Sequence, residues 1–221
     1  MTRLRRDVSA LLLLTFTTGL IDAVSYLALD QVFTGNMTGN VLFIGFALTG
    51  VDGIPLLNNL VAMAGFLVGS VISGRIVPRG RADDLDRRAL STLFVCALMM
   101  AVVALIWLFV GTEPLAVELS MTSVLAAAMG AQVSAVKPLG NSDITTIVVT
   151  NTLANLARDS RLAGGRGQAW IQRLGAVVCM AAGAVAGSLL LVAGDGPLAV
   201  GVAAVIITVV VVLLSRRPRR A

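Results

Sequence analysis

Between two long apolar segments the chain carries the nine-residue stretch VFTGNMTGN, residues 32–40. Two glycines and two asparagines interrupt an otherwise hydrophobic run there, and the run continues only over the 14 residues from 37 to 50. A helix of that length would measure about 21 Å, too short to cross a hydrocarbon core of about 30 Å comfortably. The stretch therefore predicts a short, broken element inside a membrane.

The composition of the whole chain also indicates a membrane protein. Of its 221 residues 57% are hydrophobic and 13% are charged, and the mean hydropathy is +0.92. A soluble domain has about 45–50% apolar and about 25% charged residues. The long apolar segments, each of roughly the 20 residues that a spanning helix needs, are about 8–29, 57–77, 89–110, 115–136, 169–193 and 197–214. We therefore predict an all-α fold, a polytopic membrane helix bundle with six full spans.

Basic residues predict which side of the membrane each loop occupies. Sixteen of the 17 lie in four patches: at the N-terminus, in 75–88, in 158–173 and at the C-terminus. The intervening loops carry acidic residues and no basic one. The positive-inside rule then places both termini in the cytoplasm, together with the loops at about 78–88 and 158–168. We read the N-terminal apolar segment as a retained first helix of one membrane domain, residues 1–221.

A second interrupted stretch, at about 138–157, accompanies the first at about 31–50. With six crossings and both termini on one side, neither stretch makes a net crossing by itself. Each is therefore expected to be a short broken or re-entrant helix, and the sequence does not choose between a re-entrant loop and a discontinuous spanning helix.

The two halves of the chain resemble each other. Asn36 and Asn40 recur 115 residues later as Asn151 and Asn155, and AGFLVGS (64–70) recurs as AGAVAGS (182–188). Upstream, Gly19 faces Gly130 more loosely. We predict repeat 1 over about 8–110 and repeat 2 over about 115–214. Three crossings in each make the copies inverted, a plan that secondary transporters share.

Two motifs carry a resemblance to a known family. The segment DAVSY (22–26) is followed by VFTGNMTGN (32–40), and together they resemble the signature of the YoaK-type family of uncharacterised bacterial integral membrane proteins. The resemblance extends over essentially the whole chain. It implies a six-span protein of the bacterial inner membrane, with no established activity to transfer.

Asp22 is the sharpest candidate site residue. A carboxylate at the centre of a spanning helix costs about 2.5–3.5 kcal/mol on insertion scales, and such residues often mark ion or proton paths. One reading is a group that couples protons or cations. The other is a structural carboxylate that caps the broken stretch or bonds to a neighbouring helix.

The polar residues of the two broken stretches complete the predicted solute or ion site. Asn36 and Thr38 suit helix N-caps, and helical backbone from there would place Asn36 and Asn40 on one face. In the second half Gln132, Lys137, Asn141 and Asp143 lie upstream. The predicted binding residues are Asp22, Asn36, Thr38, Asn40, Thr150, Asn151 and Asn155. The competing reading is helix packing, through GxxxG contacts and interhelical asparagine bonds.

These observations favour a small-solute or ion transporter with its site between the two broken helices. The alternative is a membrane assembly or partner-binding protein that moves nothing, its GxxxG faces receiving another subunit. An intramembrane enzyme using Asp22 with Asp143 or a serine is a weaker reading, since histidine is absent and no nucleophile motif is present. We expect no enzyme activity, no cofactor and no metal. The expected partners are membrane lipid, a small polar or ionic solute and, as an option, a second copy of the chain. Nucleic acid is not expected.

Overall fold

The computed structural model describes residues 3–29, 31–78, 87–139, 149–165 and 169–216, and all regular elements in these ranges are helical. Short 3-10 turns lie at Lys137–Leu139 and Arg161–Ala163. The helices are α1 (Arg3–Ala28), α2 (Met37–Leu48), α3 (Leu56–Ile76), α4 (Arg87–Val110), α5 (Leu115–Val136), α6 (Val149–Arg158), α7 (Trp170–Val192) and α8 (Gly196–Ser215).

Six of these helices, all except α2 and α6, are long and apolar enough to cross a membrane. Their bounds agree with the six predicted segments to within a few residues, since hydropathy over about 20 residues is what fixes a spanning helix. The predicted all-helical membrane bundle with six spans is therefore confirmed.

Two helix pairs are held together by backbone contacts at glycine. A Cβ added to Gly183 would lie 2.0 Å from the carbonyl oxygen of Phe16, and one added to Gly69 would lie 2.0 Å from that of Ala127. Glycine alone permits such an approach, which brings α7 onto α1 and α3 onto α5. Residue numbers rise together along both contacts, so each pair is parallel.

The remaining contacts set the direction of every span. The ring of Trp107, near the end of α4, packs on Gly196 at the start of α8. The Arg6 side chain donates to the carbonyl oxygen of Arg216 at 3.2 Å, which brings the two chain ends to one side of the bundle. We call this the terminal side and the opposite one the far side. It follows that α1, α4 and α7 run toward the far side, and that α3, α5 and α8 run back.

This arrangement resolves the geometry of the broken stretches. Residues 29–55 leave α1 and enter α3 on the far side, and residues 137–169 leave α5 and enter α7 on the terminal side. Neither stretch crosses, so both are re-entrant. Their helices are short: α2 has 12 residues and α6 has 10, or about 18 and 15 Å at 1.5 Å per residue.

The packing follows the same scheme in both halves of the chain. Helix α1 packs on α7 and α8, just as α5 packs on α3 and α4. Helix α2 packs on α3 as α6 packs on α7, and α4 and α8 join the halves. The packed interior lies chiefly between α1, α4, α5 and α8, where Leu14, Leu93, Leu125 and Ile207 are fully buried.

Candidate functional site

Asp22 lies inside the bundle and holds the chain that returns after α1. It is 5% exposed and precedes the end of α1 by six residues, or about 9 Å along the helix axis. Its Oδ1 atom accepts hydrogen bonds from the backbone N–H groups of Thr34 at 3.1 Å and of Gly35 at 2.7 Å. The linker from α1 to α2 therefore descends again to the depth of Asp22.

The second oxygen of Asp22 is left without such a partner. Oδ2 is buried and accepts no hydrogen bond from any residue that the structure describes. A buried polar atom in this condition needs an explanation, because leaving it unbonded costs about 1–3 kcal/mol. The carboxylate is thus half used by the fold and half free to bind something else.

Asn40 fastens the same linker at a second point. Its Oδ1 atom accepts from the backbone N–H of Phe33 at 2.9 Å, and its Nδ2 atom donates to the carbonyl oxygen of Phe33 at 2.5 Å. The side chain is fully buried. Both ends of the amide are therefore committed to the fold, and the structure gives the predicted site residue Asn40 a positioning role.

The other two predicted residues of the first stretch lie around the start of α2. Asn36 occupies the N-cap position, but its side chain makes no capping hydrogen bond, and the helix begins only at Met37. Asn36 and Asn40 therefore do not share a helical face. Asn36 is half-buried and faces a cavity, whereas the side chain of Thr38 is exposed.

Three aromatic rings that sequence reasoning did not single out lie beside Asp22. The ring of Phe33 stacks on that of Tyr26 with centroids 4.9 Å apart, and Phe43 stands 6.0 Å from Phe33 and 6.2 Å from Tyr26. The contact joins the end of α1 to α2 through the linker. No spacing rule predicts it, because the linker residue that completes the stack is placed by its bonds to Asn40.

A cavity of about 720 Å³ opens between α1, α7 and the residues at which α2 and α6 begin. This cavity, called the Asp22 groove below, is bordered by Asn36 just before α2 and by Val149, the first residue of α6. The two re-entrant helices thus both start at its rim. Its other lining residues are Gly19, Asp22, Ala23, Tyr26, Leu27, Phe33, Val177, Met180, Ala181, Ala184, Val185, Ser188 and Leu189.

The predicted residues of the second stretch do not reach the groove. Thr150 and Asn151 are exposed on α6. Asn155 is half-buried, and its carbonyl oxygen accepts a hydrogen bond from the Arg173 side chain at 2.9 Å. Of the polar residues upstream, Asn141 and Asp143 lie outside the described residues.

Lys137 and Gln132 have contrasting surroundings near the end of α5. Lys137 is exposed at the terminal side, far along the membrane normal from Asp22, which agrees with a side chain that reaches out to the interface. Gln132 is fully buried, and neither end of its amide has a hydrogen-bond partner within the described parts of the chain. We have no physical account of this buried amide.

An ion pair fixes the end of α6 against α7. Arg173 Nη1 lies 2.8 Å from Asp159 Oδ2, and Arg158 contacts the other carboxyl oxygen at 3.1 Å. These bonds, chiefly that from Arg173, hold the pKa of Asp159 below its usual value of 3.8. Because this pair ties down the last turn of α6, it serves the fold of the re-entrant segment.

Six spanning helices around a buried, partly unbonded carboxylate define the class: a multi-pass helical membrane protein with a groove inside the bundle. The model of a family described as a protein of unknown function (DUF1275) matches residues 10–213. The chain belongs to that family.

A curated relative agrees with this assignment. The UPF0700 transmembrane protein YoaK of Bacillus subtilis (strain 168) is 32% identical over 147 residues, a match that covers 66% of this chain and 64% of the relative. The resemblance to the YoaK-type family is therefore confirmed. No solved structure matches the chain.

Proposed function

We propose that this membrane protein is a transporter-like permease for a small polar or ionic solute, with its site in the Asp22 groove. The observation that carries the proposal is the divided use of the Asp22 carboxylate. Oδ1 holds the linker through two backbone N–H groups, while Oδ2 is buried and unbonded at the wall of the groove. A purely structural acceptor accounts for the first oxygen and leaves the second available to a solute or ion.

The position of the groove supports the same function. Irregular backbone at membrane depth is tolerated only where it is packed in protein or lines a wet cavity. The irregular backbone before α2 does both, since Thr34 and Gly35 are buried against Asp22 while Phe33 and Asn36 line the groove. Transporters place their sites at such helix interruptions.

We further propose that the two halves are inverted copies of one ancestral unit. Gly183 and Gly187 pack on Phe16 and Leu20 much as Gly65 and Gly69 pack on Ser123 and Ala127. Each α5 partner follows its α1 counterpart by 107 residues. The sequence comparison had set Gly19 opposite Gly130, a difference of 111, which is about one helical turn out of this packing register.

Nothing in the packing favours the alternative of a partner-binding protein assembled through its GxxxG faces. Those glycines contact backbone within the chain: Gly65 and Gly69 meet α5, and Gly183 and Gly187 meet α1. A second subunit would need another surface. The functional proposal is therefore movement of a solute, without enzymatic conversion.

We also propose that the terminal side is cytoplasmic, in a bacterial inner membrane. Arg75, Arg87 and Arg173 lie at helix ends on that side, whereas Glu113 and Asp195 lie in the short connections on the far side. Reporter fusions at the C-terminus and at residue 113 test it. Phosphatase activity is expected only from the fusion at residue 113, and the reverse pattern would contradict the orientation.

Transport is tested in proteoliposomes that carry an imposed pH gradient. We expect the purified protein to accumulate candidate polar and ionic solutes, or to dissipate the gradient when they are added, and the Asp22→Asn variant to lose this activity. Glu113→Gln is the matched control, because it neutralises an exposed carboxylate in a far-side loop. If Asp22→Asn transports as fast as the wild type, the groove has no part in transport.

A further inference from the structure

The lining of the Asp22 groove restricts the chemistry of what it can hold. Its polar side chains are one carboxylate, one amide and two hydroxyls, from Asp22, Asn36, Tyr26 and Ser188. The other lining residues are apolar or aromatic, and no lysine or arginine is among the residues that border the groove. A volume of about 720 Å³ lies within the range of about 300–1,000 Å³ that drug-sized ligands occupy.

The free group in this lining is an acceptor. Asp22 Oδ2 is buried without a hydrogen bond, so a ligand that donates there removes the cost of an unbonded polar atom. A positively charged donor gains most, because charge-assisted hydrogen bonds are about twice as strong as neutral ones. An anion would instead face the carboxylate.

The aromatic rings favour an organic cation over a bare metal ion. Tyr26 and Phe33 both line the groove, and their stacked rings stand near Asp22. Ammonium ions are attracted to ring faces within about 6 Å. Hard metal ions such as Ca²⁺ take about six to eight oxygen ligands, and the described residues contain no cluster of three acidic, histidine or cysteine side chains.

The remaining wall suits a hydrocarbon body. Helix α7 contributes Val177, Met180 and Ala184 to the groove, and its open side is edged by Leu27 and Leu189, which are 58% and 64% exposed. Apolar residues exposed on a spanning helix face lipid. A solute with a charged end and an apolar body could thus enter sideways from the acyl chains.

Resting on the proposed function, we propose that the solute of the Asp22 groove is an organic ammonium ion with an apolar or aromatic body. Its nitrogen donates to Asp22 Oδ2 and lies near the rings of Tyr26 and Phe33. Its body packs on α7.

Three probes of one shape test the charge. These are 2-phenylethylammonium, neutral 2-phenylethanol and anionic phenylacetate, with binding to the detergent-purified protein measured by calorimetry at equilibrium. We expect the ammonium to bind about tenfold or more tightly than the alcohol, and phenylacetate to bind weakest. Equal affinities for the ammonium and the alcohol would overturn the proposal. So would a preference for phenylacetate, which the positive N-terminal ends of α2 and α6 would favour.

Variants locate the binding site. Asp22→Asn keeps an acceptor for the N–H groups of Thr34 and Gly35 and should lose the preference for the cation, whereas Glu113→Gln should keep it. Tyr26→Leu should weaken binding of the ammonium about threefold or more, and Tyr26→Phe, which retains the ring, should not. Should Asp22→Asn fail to fold, the Tyr26 pair decides alone. Unchanged affinity in Tyr26→Leu would overturn the predicted ring contact and with it the proposal.

Equilibrium binding separates this inference from the permease proposal. If the ammonium binds through Asp22 but proteoliposomes do not take it up, the assignment of the ligand stands and transport fails. If another solute is transported in an Asp22-dependent way while the ammonium does not bind, the permease stands and the assignment of the ligand is wrong.

Discussion

The bonds between Asp22 and the returning linker can be isolated with two substitutions that remove the same charge. Asp22→Ala and Asp22→Asn both eliminate the carboxylate. Only asparagine keeps an oxygen where Oδ1 now accepts the N–H groups of Thr34 and Gly35, at 3.1 and 2.7 Å. The difference in stability between the variants therefore reports these two hydrogen bonds, without the effect of charge.

The expected difference follows from the burial of the atoms involved. Each buried N–H left without a partner costs about 1–3 kcal/mol, so alanine should lose about 4 kcal/mol for the two. Asparagine places an amide NH₂ where Oδ2 has no bonding partner among the described residues, which offsets about 2 kcal/mol of that advantage. Asp22→Ala should therefore be less stable than Asp22→Asn by about 2 kcal/mol, or about 4–8 °C in Tm for a chain of this size.

Thermal unfolding of both variants in one detergent, followed by tryptophan fluorescence, measures this difference. The wild-type protein and Glu113→Gln, whose carboxylate is exposed, serve as references. Equal melting temperatures for the alanine and asparagine variants would refute the reasoning. In that case the bonds from Asp22 to the linker contribute nothing to holding the re-entrant segment.

Three further predictions concern the bundle and its re-entrant segments. Gly69→Ala should lower stability by about 1–3 kcal/mol, because its Cβ would lie 2.0 Å from a carbonyl oxygen of α5, whereas Gly74→Ala on the same helix meets nothing within 4 Å and should be neutral or slightly stabilising. Asn40→Ala should cost about 2 kcal/mol or more, since it frees both backbone groups of the linker that its amide binds, and Thr38→Ala, at an exposed position, should not. Ion pairing with the α7 arginine holds the pKa of Asp159 below 3.8, so this pair stabilises the fold above about pH 4 and is lost as the pH falls through the lowered value.

Each of the three has a direct measurement. Melting temperatures in detergent compare the two glycine variants and the Asn40 and Thr38 variants, and equal values within either pair would contradict the packing or the bonds described. For Asp159, the wild type should lose its stability advantage over Asp159→Asn between pH 5 and pH 3. An advantage that persists at pH 3 would show that the pair does not act in this way.

The number and bounds of the spans followed from the sequence alone. The transfer of a helix into a bilayer depends on the summed hydropathy of about 20 consecutive residues, which is a local property. The absence of a net crossing in each broken stretch also followed, because arginine patches and the parity of the crossings leave no other count. Asp22 could be selected as a candidate site residue for the same reason, since a carboxylate inside an apolar run stands out without any knowledge of its neighbours.

Tertiary structure decided what these residues do. Whether Asp22 bonds to a neighbouring helix or to the linker depends on where the chain returns 12 residues later, and no local pattern records that return. The same holds for Asn40, which binds Phe33 rather than a solute, and for Asn151, which is exposed although it repeats the spacing of the first half. Span formation is a sum over neighbours in sequence, whereas a binding groove is made from residues that only the packing of α1 on α7 brings together.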